Sequence, residues 1–169
     1  MERDGGAPYL TTEADYENYE LTLEFRMSFD GNSGVNYHVD EAVDMPSKSG
    51  PELELVNDGT AGILWSVPPH RSEVVLTPPE AWHGVRLTTA PGRSRHSILG
   101  PDGKTLWSQT YECESNGVRT SQAAKDGLLW LADRGKITLQ ARTGMIAFRN
   151  IKLRSLNADE ATKAVSSEQ

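Results

Sequence analysis

The sequence predicts an all-β fold in which antiparallel strands form a sandwich or a barrel. Three observations support this prediction: short segments alternate between apolar and polar residues, turn-forming residues separate them, and no long amphipathic helix appears. The chain has 169 residues, which suits one domain with a hydrophobic core of its own. We therefore expect a single domain over residues 1–156, followed by a polar C-terminal tail over 157–169.

The clearest predicted strand lies in YELTLEFRMSF, residues 19–29. Its apolar residues recur at every second position, so one face packs on a core while Glu24 and Arg26 face the other way. Pro-Gly and Pro-Asp-Gly turns favour hairpins later in the chain. The next predicted strands are VNYHV (35–39), PELELV (51–56), AGILWSV (61–67), HGVRLTT (83–89), RHSIL (95–99) and GKTLW (103–107).

The C-terminal part continues the pattern with KITLQA (136–141) and MIAFRNIKLRSL (145–156). In the last segment the apolar phase shifts by one residue near Arg149 and Asn150, which predicts a β-bulge. DGLLWLAD (126–133) is a strand or a short helical turn, because its periodicity fits both. Asn157 and Glu160 are spaced as a weak capping box, so the tail holds at most a short helix.

Charge and composition argue against several classes of function. The formal net charge of −7 argues against binding to nucleic acid or to an anionic membrane surface. No apolar run approaches the ~18 residues of a membrane-spanning helix, and the first ten residues lack the apolar core of a signal peptide. Cys113 is the only cysteine, so we expect no disulfide within the chain and an inert thiol. The four histidines have no metal-ligand spacing, so we expect no metal site.

Polar side chains on the first predicted strands form the candidate site. Side chains that point to the same side of adjacent strands lie within reach of one another. Glu52 and Glu54 are two residues apart, which separates their Cα atoms by ~7 Å on one face. Carboxylates at this spacing can divide into acid and base, or acid and nucleophile, in glycoside chemistry. A solvated sheet face with mixed charges is the alternative. Strand phase directs these residues away from the apolar side: Glu24, Arg26, Asn36, His38, Glu52 and Glu54.

A turn and an aromatic residue add to this candidate site. In DGNSG, residues 30–34, Gly31 and Gly34 permit a positive φ, and the turn is either a simple connection or the edge of a binding surface. Trp65 is one of four tryptophans. Aromatic faces stack on sugar C–H groups, although a tryptophan in a β-sandwich is more often part of the core.

Six blocks of the sequence are similar, in order and spacing, to the 3-keto-disaccharide hydrolase domain family. They are DYENYELTLEFR (15–26), GNSGVNYH (31–38), GPELELVND (50–58), TAGILW (60–65), EAWHGVRL (80–87) and ITLQARTGMIAFRNIKLRSL (137–156). NSG after EFR, together with a closing FRNIK, is the most specific part of this resemblance. It implies a concanavalin A-like jelly roll, an antiparallel β-sandwich with a carbohydrate ligand on its concave sheet. It also implies a periplasmic or secreted location and leaves any cofactor unknown.

The resemblance implies that the chain cleaves 3-keto-glycosides. Glu52 would be the general base with Glu54 or His38 as its partner, and Arg26 or Arg142 would hold the ketone or its enolate. Two departures concern these residues, because the family usually has an arginine where His38 stands and a histidine where Arg142 stands. The remaining residues of the predicted substrate-binding set are Glu24, Asn36 and Trp65.

Two other functions fit the same sequence. One is a non-catalytic carbohydrate-binding module, because the same fold carries both enzymes and binding modules. The other is a glucanase that hydrolyses its substrate directly, since ELELVND resembles the glucanase pattern of acidic residues that alternate along one strand. Turnover of oxidised against ordinary disaccharides distinguishes the three.

Overall fold

The computed structural model describes residues 9–40, 46–65, 71–78, 80–112 and 134–167. Cys113 and the segment 126–133, for which we predict an inert thiol and a strand or helical turn, lie outside these residues. Among the described residues, no helix reaches the length and hydropathy that a membrane span requires.

Two antiparallel sheets contain all the described strands. The four-stranded sheet has the order β1-β8-β3-β4, and the five-stranded sheet has the order β7-β6-β5-β2-β9. This arrangement confirms the predicted all-β antiparallel sandwich. In chain order the elements are β1 (Tyr9–Thr11), β2 (Tyr19–Met27), β3 (Asn32–Val39), α1 (Pro46–Ser49), β4 (Glu52–Val56), β5 (His83–Ala90), β6 (Arg93–Leu99), β7 (Thr105–Glu112), β8 (Lys136–Thr143), β9 (Ile146–Ser155) and α2 (Ala158–Ser166).

The core lies between the two sheets and is built from alternate residues of the strands. Along β2, buried side chains alternate with side chains that are partly or fully exposed, as the sequence predicts. Full burial of each large apolar side chain contributes about 1.5–3 kcal/mol. Phe148, an apolar residue of the last predicted strand, is only partly buried, because β9 is an edge strand. The predicted core residues that are buried are Leu21, Leu23, Phe25, Leu53, Leu55 and Leu139.

The predicted bulge in the last strand is confirmed. The register between β2 and β9 shifts between Thr22 and Glu24, and Asn150 adopts a φ of 52° on the opposite strand. A bulge inserts one residue and lets the apolar phase of β9 change while its pairing to β2 continues. Glu24 therefore faces Arg149 in the register rather than the residue that a regular ladder would supply.

Residues 61–65 do not form the regular strand that AGILWSV predicts. Pairing with β4 is limited to an isolated bridge between Leu64 and Leu53 and a few backbone hydrogen bonds to Glu52 and Glu54. Gly62 has a φ of 91°, and a Cβ on it would lie 2.7 Å from Ile98 Cγ1 and 2.8 Å from Trp107 Cε3. The chain therefore turns at Gly62 against the core, and regular pairing is interrupted there.

The C-terminal tail ends in a helix that packs on the sandwich. Asn157 caps α2, and its side chain accepts a hydrogen bond from the backbone N–H of Glu160, whose side chain accepts one from the Asn157 N–H. The predicted capping box is therefore formed. Ala161 and Val165 of α2 are buried in one cluster with Ala90 of β5.

Candidate functional site

The outer face of the four-stranded sheet carries two buried carboxylates. Leu53 and Leu55 of β4 point into the core, so the residues that alternate with them, Glu52 and Glu54, point outward. Their exposed fractions are nevertheless only 8% and 7%. The pair is therefore held largely out of water, which is unusual for glutamate and requires compensation from neighbouring polar groups.

Strand register assembles a polar set around these two residues. Asn36 of β3 lies opposite Glu52 and opposite Thr138 of β8, and the neighbouring row holds Gly34, Glu54 and Gln140. These side chains share one face because residues opposite each other in a ladder point the same way. We call the set formed by Asn36, Glu52, Glu54, Thr138 and Gln140 the acidic face.

Gly34 leaves room for the Glu52 carboxylate. A Cβ on Gly34 would overlap Glu52 Oε1 and lie 2.9 Å from its Cδ. Neither Gly31 nor Gly34 adopts the positive φ that glycine permits. Gly34 lies within β3 and instead allows the close approach of a catalytic candidate.

Asn36 presents a hydrogen-bond donor to this face. Its side chain is fully buried, and its Oδ1 accepts a hydrogen bond from Thr138 Oγ1 at 3.2 Å. Its Nδ2 finds no hydrogen-bond acceptor among the residues that the structure describes. A buried donor left without an acceptor costs about 1–3 kcal/mol, which an oxygen of a ligand could recover.

The Glu54 carboxyl has a strongly raised pKa. Burial is the largest cause, and repulsion by the carboxylates of Glu52 and Asp58 raises the pKa further. The Arg142 guanidinium lowers it in part, and the net result is a pKa of about 8. Glu54 is therefore mostly protonated at neutral pH and can donate a proton. Arg142 itself is exposed and sits where the pairing of β3 with β8 shifts, between Ala141 and Thr143.

Trp65 lies at the edge of the same sheet. Its backbone N–H donates to the Glu52 carbonyl at 3.0 Å, which places the two residues side by side. The tryptophan is 55% exposed, so it is not a core residue. An exposed indole beside a carboxylate offers a stacking surface for a sugar ring.

His38 does not share the acidic face, and the prediction that it does is wrong. Its ring packs edge-on against Tyr19 and Tyr37, with ring centroids 5.8 and 5.6 Å away. Its Nε2 lies 2.9 Å from the Glu17 carbonyl oxygen. The physical reason is a φ of 53° at His38, where the ladder between β3 and β8 is also irregular, so the alternation of side chains fails at this residue.

Glu24 and Arg26 are also separated from the acidic face. Both lie on β2 of the five-stranded sheet, and their side chains point to the outer face of that sheet. The prediction that one concavity holds these residues with Glu52, Glu54, His38 and Arg142 is therefore wrong. Glu24 accepts hydrogen bonds from Asn150 at 2.9 Å and Arg149 at 2.6 Å, and these two bonds lower the pKa of its carboxyl.

The sequence interpretation omitted two members of the acidic face. Thr138 and Gln140 occupy alternate positions of β8 and are 1% and 3% exposed. Gln140 donates a hydrogen bond through Nε2 to Tyr9 Oη of β1 at 3.0 Å, and this bond fixes the position of the Gln140 side chain. The alternation in KITLQA carried the signal, since both residues lie between apolar positions.

The described residues contain no group of three or more His, Cys, Asp or Glu side chains arranged to hold a metal ion. What the acidic face does offer is a protonated carboxyl, a second carboxyl beside it, a buried amide donor and a nearby guanidinium. This combination can accept a proton at one position, supply one at another and stabilise a developing negative charge.

A comparison with protein families matches residues 1–154 to the 3-keto-alpha-glucoside-1,2-lyase-like domain. The match covers almost all of the residues that form the sandwich. A comparison with curated proteins finds no match.

Solved structures share the fold at low sequence identity. Two crystal structures of candidate glycosyl hydrolases from Parabacteroides distasonis ATCC 8503 superpose with TM-scores of 0.68 and 0.66, at 20% and 22% identity. The first alignment covers 89% of this chain and 75% of the matched protein. The second covers 90% of this chain and 88% of the matched protein. The carbohydrate-binding module CBM66 from Bacillus subtilis superposes with a TM-score of 0.59 at 9% identity, over 90% of this chain and 84% of the module.

Proposed function

This chain belongs to the family of 3-keto-alpha-glucoside-1,2-lyase-like domains, and on that premise we propose that it cleaves the glycosidic bond of a 3-keto-glycoside at the acidic face. The observation that carries the proposal is the buried pair in which Glu54 has a pKa of about 8 beside Glu52. Such a pair supplies the two proton transfers that an elimination of the glycosidic oxygen needs.

The proposed reaction uses Glu52 as the base. The ketone at C3 acidifies the proton on C2, and the Glu52 carboxylate removes it. The electrons of the broken C2–H bond then form a C1=C2 double bond while the C1–O glycosidic bond breaks. The departing oxygen takes the proton of Glu54, so an alcohol and an unsaturated keto sugar are released without any oxidant or reductant. Water added across C1=C2 would convert the same elimination into a net hydrolysis.

Three other residues of the site have proposed binding roles. The Arg142 guanidinium would hold the ketone oxygen and stabilise the enolate that forms when the C2 proton leaves. The Asn36 Nδ2 donor would bond to an oxygen of the same sugar ring, which satisfies a buried amide. Trp65 would stack on the sugar at the edge of the sheet.

A non-catalytic carbohydrate-binding module is the second candidate. Two observations favour it: the predicted partner His38 is turned into the core, and the fold is shared with the binding module CBM66. A module would use Trp65 and Arg142 to bind sugar and would leave the glycosidic bond intact.

Turnover of a 3-keto-disaccharide against the same disaccharide without oxidation tests the proposal. We expect cleavage of the oxidised sugar only, and Glu52→Gln should reduce kcat by about 10²–10⁴-fold while binding persists, because an amide keeps the shape but accepts no proton. Glu112→Gln is the matched control, since that glutamate is 74% exposed at the end of β7 and should retain full activity.

Wild-type protein that binds sugars and leaves every 3-keto-glycoside intact would identify a binding module instead. Loss of turnover in Glu54→Gln with full turnover in Glu52→Gln would contradict the assignment of Glu52 as the base. Direct cleavage of unoxidised glucans would favour the glucanase alternative.

A further inference from the structure

The outer face of the five-stranded sheet is basic, although the chain as a whole is acidic. Two cavities, one of about 480 Å³ and one of about 110 Å³, lie along this face and share Arg86 in their walls. Five cationic side chains and two carboxylates line them, a formal surplus of three positive charges in a chain of net charge −7. We call the two cavities together the basic groove; its cations are Arg86, Arg95, Arg149, Lys152 and Arg154.

The two carboxylates of the groove leave the two arginines that they contact accessible. Arg149 pairs with Glu24 at 2.6 Å and Arg154 pairs with Glu20 at 3.7 Å, yet the two arginine side chains remain 48% and 62% exposed. Ion pairs this exposed contribute about 0–1 kcal/mol, so a bound anion can compete for the same guanidinium groups.

The central row of the groove pairs its cations with hydroxyl groups. Strand register places Lys152 opposite Thr22, Thr22 opposite Arg86, and Arg86 opposite Ser97. Lys152 and Arg86 are therefore two strands apart, about 10 Å between their Cα atoms, and no carboxylate occupies this row. A ligand that carries anionic groups at intervals along a chain could meet Lys152 and the exposed guanidinium groups of Arg149 and Arg154 on the same strand, while a hydroxyl of the ligand meets that of Thr22.

The wall of the larger cavity also contains an aromatic residue. The Arg149 Cζ lies 3.9 Å from the centre of the Trp82 ring, and the Arg26 Cζ lies 5.2 Å from it. These contacts hold two guanidinium groups over the indole, where they are fixed in direction but still open to an anion. The Arg149 guanidinium covers one face of the indole, on which an unpaired nucleobase could otherwise stack.

We propose that the basic groove binds an acidic glycan, a polysaccharide segment that carries carboxylate groups. Guanidinium groups recognise carboxylates through paired hydrogen bonds, and the Thr22 hydroxyl opposite Lys152 matches the hydroxyls of a sugar chain. A cavity of about 480 Å³ is in the range of small-ligand sites. This site lies on the opposite side of the sandwich from the acidic face and does not depend on the proposed catalytic function.

Binding of an oligogalacturonate to the whole protein, measured by calorimetry at low ionic strength, tests this inference. The matching neutral galactan oligomer is the ligand control. We expect binding of the oligogalacturonate alone, with an affinity that falls as salt is added, because salt screens exposed charges. Lys152→Glu should weaken binding about 10-fold or more, and Lys152→Gln should weaken it less.

Arg134→Glu is the matched control variant. It makes the same reversal of charge at an arginine that is 66% exposed near Asp15 and lies outside the groove. The affinity of this variant for oligogalacturonate should therefore stay within about 2-fold of wild type. Glu52→Gln should also bind normally, because Glu52 lies on the other sheet.

Four results would overturn the inference: no binding of oligogalacturonate, equal losses in the Lys152 and Arg134 variants, loss of binding in Glu52→Gln, or tighter binding of single-stranded DNA or anionic vesicles under the same conditions. Circular dichroism of each variant checks that the sandwich is retained. Lys152 is exposed on a strand surface, so both of its variants should fold.

Discussion

The buried Glu54 carboxyl should make the protein less stable as the pH rises. Its pKa is about 8 in the folded chain and near the ordinary value of 4.5 when unfolded, so the folded state holds a proton that the unfolded state has lost between these two values. Below pH 4.5 both states are protonated, and the carboxyl has no effect. Between pH 4.5 and 8 its contribution falls steadily, and above pH 8 the loss is complete.

The size of the effect follows from the two pKa values. Each pH unit between them costs about 1.4 kcal/mol, so the full rise from 4.5 to about 8 corresponds to about 5 kcal/mol as an upper limit. Glutamine at this position keeps the shape and carries no charge at any pH. Glu54→Gln should therefore match the wild type near pH 4 and exceed its free energy of unfolding by several kcal/mol at pH 9.

Urea denaturation of both proteins from pH 4 to pH 9 measures this difference. Subtracting the two curves removes the titration of every other group that the variants share. A difference that stays constant with pH would refute the assignment of Glu54 as a buried acid, and so would a difference that shrinks as the pH rises. The same substitution should abolish the proposed proton donation to the leaving oxygen, so the stabilised variant should be an inactive one.

Two further substitutions test the packing of the sandwich and of its site. Gly34→Ala should lower turnover at least 10-fold, since the new methyl group displaces the Glu52 carboxylate. The melting temperature should change little, because the backbone φ at this position tolerates alanine. Unchanged kinetics would contradict this role of the glycine. Tyr37→Phe should cost about 1–3 kcal/mol in urea denaturation, because its buried hydroxyl lies 2.8 Å from both Ser94 Oγ and His96 Nε2, whereas unaltered stability would show that these hydrogen bonds contribute nothing.

The direction of most side chains, inward or outward, was predictable from the sequence. Strict alternation along β2 and β4 places Phe25 and Leu53 in the core and Glu24 and Glu52 on outer faces, as the structure has them. The change of phase near Asn150 predicted the bulge correctly, because an extra residue is the simplest way to shift an apolar pattern while pairing continues.

The choice of sheet was not predictable in the same way. Alternation tells which residues leave the core, but a sandwich has two outer faces, and the period of two is identical on both. Glu24 and Glu52 therefore have the same pattern and lie on opposite sides of the molecule. Pairing decides the sheet: β2 pairs with β5 and β9, while β3 pairs with β4 and β8.

The prediction for the position of the His38 side chain was wrong for a different reason. The alternation in VNYHV is regular in the sequence, and only the backbone reveals that a φ of 53° interrupts it. A positive φ is uncommon for a residue with a side chain, and no feature of the local sequence requires it here. The contacts with Tyr19 and the Glu17 carbonyl come from segments distant in sequence, so they could not be predicted from the strand itself.

The two outer faces of the sandwich differ in a way that favours different ligands. Glu52 lies in a poorly hydrated environment where a negative charge is weakly screened, and Glu54 beside it carries a neutral carboxyl group at neutral pH. A carboxylated sugar would be repelled there, whereas a neutral keto sugar presents a polarised carbonyl and an acidic C–H without a net charge. On the opposite sheet, solvated arginine and lysine side chains attract anions, and the pKa of the Glu24 carboxyl is lowered rather than raised. Separation of charge between the two sheets therefore predicts that an acidic glycan and a neutral keto sugar do not compete for binding.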